Sequence, residues 1–178
     1  MKTKVFIDGS EGTTGLRIYE RFALRNDVEL LRIDPDKRKD PAERAKLINS
    51  SEITFLCLPD AASIESVSLV TNPDVKIIDT STAHRTNDDW AYGFPELNKE
   101  QRGKIKASKR IAVPGCYATG FISIAAPMVQ SGLMSPDYPV SAFAVSGYSG
   151  AGKKAIAVYE GEEKPAEFNS PSEYALTQ

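Results

Sequence analysis

A cysteine at a predicted strand-to-helix junction is the residue of this chain best suited to covalent chemistry. Cys116 lies between a strand-like run, residues 110–114, and a helix-like run that begins at Tyr117. The unpaired N–H groups and the dipole of a helix start stabilise negative charge. A thiol placed there is expected to react as a nucleophile. The alternative is a buried structural thiol, which the preceding Pro-Gly and the small residues Ala118 and Gly120 disfavour.

A glycine-rich loop follows the first predicted strand and predicts a phosphate site. Its candidate cofactor-binding residues are Gly9, Ser10, Gly12, Thr13, Thr14 and Gly15. Glycine allows the backbone to approach a pyrophosphate, and the N-terminus of the following helix faces the negative charge. The spacing departs from the simple Gly-x-Gly-x-x-Gly fingerprint, so a turn without a ligand is the alternative. The position after the first strand favours a dinucleotide. With Cys116, the loop suggests an enzyme that passes a hydride to or from a thioester.

The residues after the second predicted strand bear on which dinucleotide binds. Asp34 lies 19 residues beyond Gly15, where an acid would hold a ribose 2′-hydroxyl and favour NAD. Lys37, Arg38 and Lys39 follow, and cations there would neutralise the 2′-phosphate of NADP. Solvated loop charges that touch no ligand are the third interpretation. The residues alone leave these alternatives open.

Apolar periodicity places these loops in an alternating pattern of strands and helices. Strands are predicted at residues 5–8, 28–33, 53–58 and 75–79, and helices at 13–25, 41–49 and 61–70. This alternation predicts a parallel sheet built from right-handed βαβ units. A strand at 111–113, a helix at 117–131 and a strand at 140–146 are predicted downstream. Pro127 should kink that helix because it removes a backbone donor.

The composition is that of a soluble globular protein. Of the 178 residues, 41% are hydrophobic and 26% are charged, and the net charge is −2. This charge gives no reason to expect nucleic acid or an anionic membrane as a partner. No apolar run approaches the ~20 residues that span a bilayer, and the N-terminus lacks the long apolar core of a signal peptide. Two cysteines make no disulfide framework, so we expect the reducing cytosol. No metal site is expected.

Cys57, His84 and a glycine- and lysine-rich segment have weaker claims to chemistry. Cys57 lies within an apolar run and is expected to be a small buried residue. His84, the only histidine, follows a strand end; a general acid or base is one interpretation, and packing or capping is the more common one. Residues 146–154 combine backbone N–H groups with Lys153 and Lys154, which would suit a phosphate or carboxylate. A flexible turn is the alternative for that segment.

Six segments, in this order, resemble the short-type N-acetyl-gamma-glutamyl-phosphate reductases of arginine biosynthesis. They are FIDGSEGTTG (6–15), CLPD (57–60), DTSTAHR (79–85), WAYGF (90–94), PGCY (114–117) and SGYSG (146–150). The resemblance covers essentially the whole chain. Its most specific parts are the loop around Cys116 and the SGYSG segment. Aspartate-semialdehyde dehydrogenases share the architecture but differ in sequence around the thiol.

The resemblance implies an activity and a fold. The expected enzyme is cytoplasmic and uses NADPH to reduce N-acetyl-gamma-glutamyl phosphate to the semialdehyde, through a thioester on Cys116. The expected fold class is α/β, a Rossmann-type parallel sheet followed by the start of an α+β catalytic domain. Residues 1–116 would bind NADP, and residues 117–178 would begin the catalytic and dimerisation domain. The complete enzyme would be a homo-oligomer that acts on a small-molecule acyl phosphate.

The resemblance also implies roles for individual residues. Arg38 would hold the 2′-phosphate, and Ser149, Gly150 and Lys153 would bind the anionic substrate. The family's partner histidine lies in a later segment, which His84 does not match. The chain is therefore expected to be an N-terminal portion with little activity of its own. The alternatives are a semialdehyde dehydrogenase for another acyl phosphate and a non-catalytic dinucleotide-binding module.

Overall fold

Strands and helices alternate along the chain in the computed structural model, which describes residues 2–145 and 147–161. The strands are β1 (Thr3–Asp8), β2 (Val28–Leu31), β3 (Ile53–Leu56), β4 (Lys76–Asp79), β5 (Ala91–Tyr92) and β6 (Arg110–Ala112). The α-helices are α1 (Thr13–Ala23), α2 (Pro41–Ser50), α3 (Asp60–Ser68), α4 (Gln101–Ala107), α5 (Cys116–Gln130) and α6 (Gly152–Glu160). Short 3-10 helices lie at Pro35–Lys37 and Tyr148–Ala151.

The strands form one parallel sheet in the order β2-β1-β3-β4-β6-β5, which confirms the predicted fold class. Successive side chains of β1 point to opposite faces of this sheet. On one face Phe6 joins a buried cluster from α2, β3 and β4. On the other face Val5 and Ile7 pack with Val28 and with side chains of α1. Both faces are covered, as is usual for parallel sheets. Because all six strands run in the same direction, the loops that follow them lie at one edge of the sheet, the carboxyl edge.

The predicted strand at residues 140–146 is wrong over residues 140–145, which have no regular secondary structure. Phe143 is 93% exposed and Val145 is 83% exposed. Alternating apolar residues resemble a strand, but a strand also needs the N–H and C=O groups of a neighbour. The six-stranded sheet of the described residues offers this segment none. Ser146 lies outside the described residues.

One strand and two α-helices were not predicted from the sequence, namely β5, α4 and α6, and neither were the two 3-10 helices. The first two are short, and the third begins within the segment predicted as an anion-binding turn. α5 runs through Pro127 to Gln130, and the N–H of Ser131 donates to the carbonyl of Pro127 at 3.0 Å. The helix therefore continues past Pro127, and the expected kink stays a prediction. The polar stretch from residue 162 onward lies outside the described residues.

Candidate active site

A cleft lies at the carboxyl edge of the sheet, where the strand order reverses. β1 pairs with β2 on one side and with β3 on the other, so the connections that follow β1 and β3 run in opposite directions along the sheet. This reversal is a topological switch point, where α/β sheets bind their ligands. The cleft has a volume of about 340 Å³, and much of its polar lining comes from the glycine loop and from residues that follow β2. These polar residues include Ser10, Glu11, Arg32, Arg38 and Lys39. Both the position and the lining suit a dinucleotide.

Two glycines of the loop are required by the close approach of backbone segments. Gly9 has a φ of +86°, and a Cβ there would lie 2.3 Å from the carbonyl oxygen of Cys57. A Cβ at Gly15 would lie 2.2 Å from the carbonyl oxygen of Gly9. Gly12 is less constrained, with its nearest such contact at 3.3 Å. The loop folds on itself and against Cys57, the residue after β3, only because these positions carry no side chain. The bare backbone that results beside the cleft fits a phosphate group.

The start of α1 completes the phosphate-binding geometry. Gly12 is the N-cap of α1, and no side chain caps the helix. Thr13 and Thr14 occupy an exposed first turn that contains no acidic residue. Uncapped N–H groups at the start of an eleven-residue helix stabilise an anion. Of the predicted loop residues, Gly9 and Ser10 line the cleft, and the others form the helix start beside it.

Arg38 and Asp34 take different places relative to the cleft. Arg38 lines it and forms an ion pair with Glu11. The carboxylate of Asp34 instead accepts the N–H of Asp36 at 3.0 Å, as the N-cap of the 3-10 helix Pro35–Lys37. Asp34 does not line the cleft. This geometry favours the interpretation of the segment as a cationic site over the interpretation of an acid that holds a ribose.

A buried ionic network supports the glycine loop. Asp8, the last residue of β1, is 3% exposed, and its carboxylate accepts from Nε of Arg44 at 3.1 Å and from Oγ of Ser66 at 2.8 Å. Arg44 also donates to Glu65 at 2.9 Å. Burial acts to lower the pKa of Arg44, but its bonds to Glu65 and Asp8 outweigh that effect and raise the pKa. The network ties β1 to α2 and α3. No local sequence signal distinguishes Arg44 from a surface arginine.

Cys116 is the first residue of α5, and its side chain is exposed. Gly115 is the extended N-cap, and its carbonyl accepts both the N–H and the hydroxyl of Thr119, at 2.9 and 2.8 Å. β6 brings this loop to the same sheet edge as the glycine loop. Because β3 and β4 lie between β1 and β6, the two loops are three strand spacings, about 14 Å, apart. The thiol therefore lies at a helix start, as predicted, and its catalytic role stays a prediction.

Arg85 connects the cysteine loop to the loop that follows β4. Its Nε donates to the carbonyl of Val113 at 2.9 Å, and its Nη2 donates to the carbonyl of Thr80 at 3.2 Å. The N–H of Val113 donates to the carbonyl of Asp79 at 2.8 Å. These bonds hold the chain that enters the cysteine loop against β4. Sequence reasoning did not single out Arg85, because its partners are backbone carbonyls on distant segments.

Cys57 and His84 are packed within the fold. Burial raises the pKa of the Cys57 thiol to about 11. His84 is 8% exposed, its Nδ1 lies 2.6 Å from Oδ2 of Asp79, and its ring stacks on Trp90 with the centroids 4.0 Å apart. These contacts agree with the more common interpretation of His84 as a packed residue. Cys57 is half-buried, so the expectation of a buried thiol is met only in part.

The segment predicted to bind the anionic substrate folds into helical turns. Ser149 and Gly150 belong to the 3-10 helix Tyr148–Ala151, and Lys153 lies in the first turn of α6. All three are exposed. The N–H of Gly150 donates to the carbonyl of Gly147 at 2.9 Å, so this N–H is used within the turn. A substrate anion would then be bound by the Ser149 hydroxyl and the Lys153 ammonium group, a role that stays a prediction.

No helix in residues 2–145 and 147–161 combines the length and the apolar character needed to cross a membrane. Within these same residues, His, Cys, Asp and Glu side chains form no group of three placed to hold a metal ion.

Sequence comparisons match two parts of the chain to known domains. Residues 15–105 match the family described as semialdehyde dehydrogenase, NAD binding domain, and residues 116–178 match semialdehyde dehydrogenase, dimerisation domain. The N-acetyl-gamma-glutamyl-phosphate reductase of Chelativorans sp. (strain BNC1) is 48% identical over 99% of this chain and 56% of its own length. N-acetyl-gamma-glutamyl-phosphate reductase 2 of Nostoc sp. is 52% identical over 89% of this chain and 49% of its own length. The chain thus spans about half the length of the curated relatives it matches.

Solved structures share the fold at low sequence identity. Aspartate semialdehyde dehydrogenase II from Vibrio cholerae, complexed with ASA, superposes with a TM-score of 0.61 and 18% identity over 88% of this chain and 50% of that chain. The aspartate semialdehyde dehydrogenase of Francisella tularensis gives 0.60 and 17% over 86% of this chain and 47% of that chain. At these identities the likeness shows the fold alone. The match over residues 15–105 covers half of the sequence, and the chain belongs to the semialdehyde dehydrogenase family.

Proposed function

We propose that this chain carries the dinucleotide site and the nucleophile of an NADPH-dependent reductase of arginine biosynthesis. The substrate is N-acetyl-gamma-glutamyl phosphate and the product is N-acetylglutamate semialdehyde. The relatives that carry this reductase name, at 48% and 52% identity, support the choice of substrate. Because the chain spans about half of their length, the activity, substrate and partners of the whole protein are all part of the proposal.

One observation carries the proposal. An exposed thiol, Cys116, begins α5 at the same sheet edge as the cleft beside Gly9. A dinucleotide held at the glycine loop can extend along this edge toward the thiol. Cys57 is a poorer nucleophile, because burial raises the pKa of its thiol to about 11 and leaves little thiolate near neutral pH. Cys116 is therefore the proposed nucleophile.

The chemistry follows from the properties of a thiolate beside an acyl phosphate. The Cys116 sulfur attacks the carbonyl carbon, the C–O bond to phosphate breaks, and inorganic phosphate leaves with the bonding electrons. The acyl group is then a thioester on Sγ. NADPH, when bound at the glycine loop, would supply a hydride to this acyl group. The carbon–sulfur bond would then break to give the aldehyde, and Cys116 would be left as a thiolate, ready for another cycle. Since no side chain caps α5, its first N–H groups can stabilise charge on the acyl oxygen.

NADPH is the proposed dinucleotide because cations line the cleft beyond β2. Arg38 and Lys39 line it, whereas Asp34 caps a 3-10 helix. A charge-assisted contact to the 2′-phosphate is worth about 1.5–3 kcal/mol, or roughly tenfold or more in affinity. Calorimetry should show NADPH binding more tightly than NADH, and Arg38→Ala should remove most of that preference. Arg102→Ala, which removes an exposed arginine paired with Glu96, is the control. Equal affinities of the native chain for the two dinucleotides would defeat the assignment.

The remaining roles complete the proposal. Ser149, Gly150 and Lys153 belong to the substrate site, with the Ser149 hydroxyl and the Lys153 ammonium group as its anion-binding groups. The dimerisation-domain match over residues 116–178 supports a homo-oligomer. A boundary between a dinucleotide-binding domain and a catalytic domain near residue 116 agrees with where the two family matches lie. The cytoplasm is the proposed location, because a nucleophilic thiol needs a compartment that keeps it reduced.

Acylation of the thiol tests the reaction directly. The chain is incubated with N-acetyl-gamma-glutamyl phosphate or with aspartyl phosphate, without dinucleotide, and its peptides are analysed by mass spectrometry. Because the chain is expected to have little activity of its own, we expect slow formation of an N-acetylglutamyl adduct on Cys116 during a long incubation. Cys116→Ser should abolish this adduct and Cys57→Ser should retain it. Preferential labelling by aspartyl phosphate would indicate a dehydrogenase for another acyl phosphate. An unlabelled Cys116 in a chain that binds dinucleotide would indicate a non-catalytic module.

A further inference from the structure

We infer that Glu11 restrains Arg38 and thereby sets how strongly the cleft prefers a dinucleotide with a 2′-phosphate over one with a 2′-hydroxyl. The inference rests on the proposed dinucleotide function of the cleft. It concerns a residue that the glycine motif does not require, since Glu11 lies at one of the two positions between Gly9 and Gly12 that the motif leaves unspecified.

The ion pair joins two distant parts of the chain at the cleft. Glu11 belongs to the loop after β1, and Arg38 follows the 3-10 helix Pro35–Lys37 beyond β2. Both residues line the cleft, and Nη1 of Arg38 donates to Oε2 of Glu11. The two side chains are 51% and 57% exposed, for Arg38 and Glu11 respectively, so a ligand in the cleft can reach both.

The charges around the cleft make Glu11 distinctive. Two carboxylates line the cleft: Asp8, which is buried in the network with Arg44, and Glu11, which is exposed. Lys39 also lines the cleft and has no ion pair in the part of the chain that the structure describes. Arg32, the third cation that lines the cleft after β2, lies over the ring of Tyr19. Of these three cations, Arg38 is the one that forms an ion pair with a carboxylate within the described residues.

Binding of the two dinucleotides has different consequences for this pair. A 2′-phosphate that binds Arg38 competes with Glu11 for the positive charge of the guanidinium, and it lies close to a carboxylate of like charge. A 2′-hydroxyl carries no charge and leaves the pair intact. Glu11 therefore opposes NADPH and not NADH. Exposed ion pairs have coupling free energies that correspond to up to about fivefold in an equilibrium constant.

Replacement of Glu11 by glutamine tests the inference, because it keeps the size and removes the charge. Dissociation constants for NADPH and NADH are measured by calorimetry on the native chain, Glu11→Gln and Glu96→Gln, after circular dichroism has confirmed folding. Glu96 is a matched control, since it is 64% exposed and paired with Arg102. We expect Glu11→Gln to raise the ratio of NADPH affinity to NADH affinity about two- to fivefold. Glu96→Gln should leave the ratio unchanged.

A second set of variants tests whether the effect acts through Arg38. In an Arg38→Met background, Glu11→Gln should no longer change the affinity ratio. An unchanged ratio in the single Glu11→Gln variant would overturn the inference. So would an equal rise in Glu96→Gln, or a rise that persists without Arg38. A native chain that binds both dinucleotides equally contradicts the proposed NADPH preference, whereas the inference depends only on the change that Glu11→Gln produces.

Discussion

Replacement of Gly9 by alanine is the sharpest test of the geometry of the glycine loop. Gly9 combines a φ of +86° with the closest backbone approach in the loop on the β3 side. A Cβ at this position would lie 2.3 Å from the carbonyl oxygen and 2.9 Å from the carbonyl carbon of Cys57. Both atoms belong to the backbone, so no side-chain rotation relieves the contact. Gly9→Ala must therefore distort the junction between β1 and β3.

The expected cost has two parts. A left-handed backbone costs a non-glycine residue about 1–3 kcal/mol. Overpacking against a fixed neighbour costs about 1–3 kcal/mol more. The sum, about 2–6 kcal/mol, is a large fraction of the 5–15 kcal/mol that typically separates folded and unfolded states. The N–H of Cys57 also donates to the carbonyl of Asp8 at 2.8 Å, so a shift of Cys57 displaces the residue before the loop. Dinucleotide affinity should fall as well.

Urea unfolding, followed by circular dichroism and by the fluorescence of the single tryptophan, Trp90, measures this cost. Gly103→Ala is the matched control, since Gly103 is exposed in α4 and a Cβ there meets no atom within 4 Å. That variant should be stabilised by about 0.5–1 kcal/mol, because alanine reduces the entropy of the unfolded chain. If Gly9→Ala and Gly103→Ala unfold within about 0.5 kcal/mol of each other, the close approach of the loop to β3 is refuted.

Three further outcomes are expected. Cys116 should react with limiting iodoacetamide faster than Cys57 near neutral pH, because Cys116 is exposed and burial raises the pKa of Cys57 to about 11; equal labelling in peptide maps would count against Cys116 as the nucleophile. The rise in the pKa of Cys57 from 9.0 to about 11 means that, between these pH values, the native state keeps the thiol proton and the unfolded state loses it. The free energy of unfolding should therefore fall as the pH rises from 9 to 11, and Cys57→Ala should flatten that part of the profile. Arg44→Met should cost about 3–5 kcal/mol because it leaves Asp8 buried without its cation, whereas Arg102→Met, which removes an exposed pair, should cost at most about 1 kcal/mol; similar losses would contradict the buried network.

The sequence by itself determined the features that depend on neighbours along the chain. Alternating apolar runs predicted a parallel sheet, because the period of a strand and the period of a helix are local properties. The spacing of Gly9 and Gly15 located the loop, since a positive φ and a tight turn call for glycine wherever they occur. The change from a strand pattern to a helix pattern placed Cys116 at a helix start. The family resemblance rested on the same short segments.

Only the tertiary structure decided which charged groups face one another. The residues alone did not decide between Asp34 and Arg38 as the contact of the dinucleotide, and the fold placed Arg38, not Asp34, in the lining of the cleft. Glu11 acquired its partner across 27 residues, and Arg44 met Asp8 across 36. The apolar run at 140–145 formed no strand, because pairing requires a neighbour that no local pattern supplies. Hydrogen bonds and ion pairs between distant segments depend on how elements pack, and that information is absent from any short window of sequence.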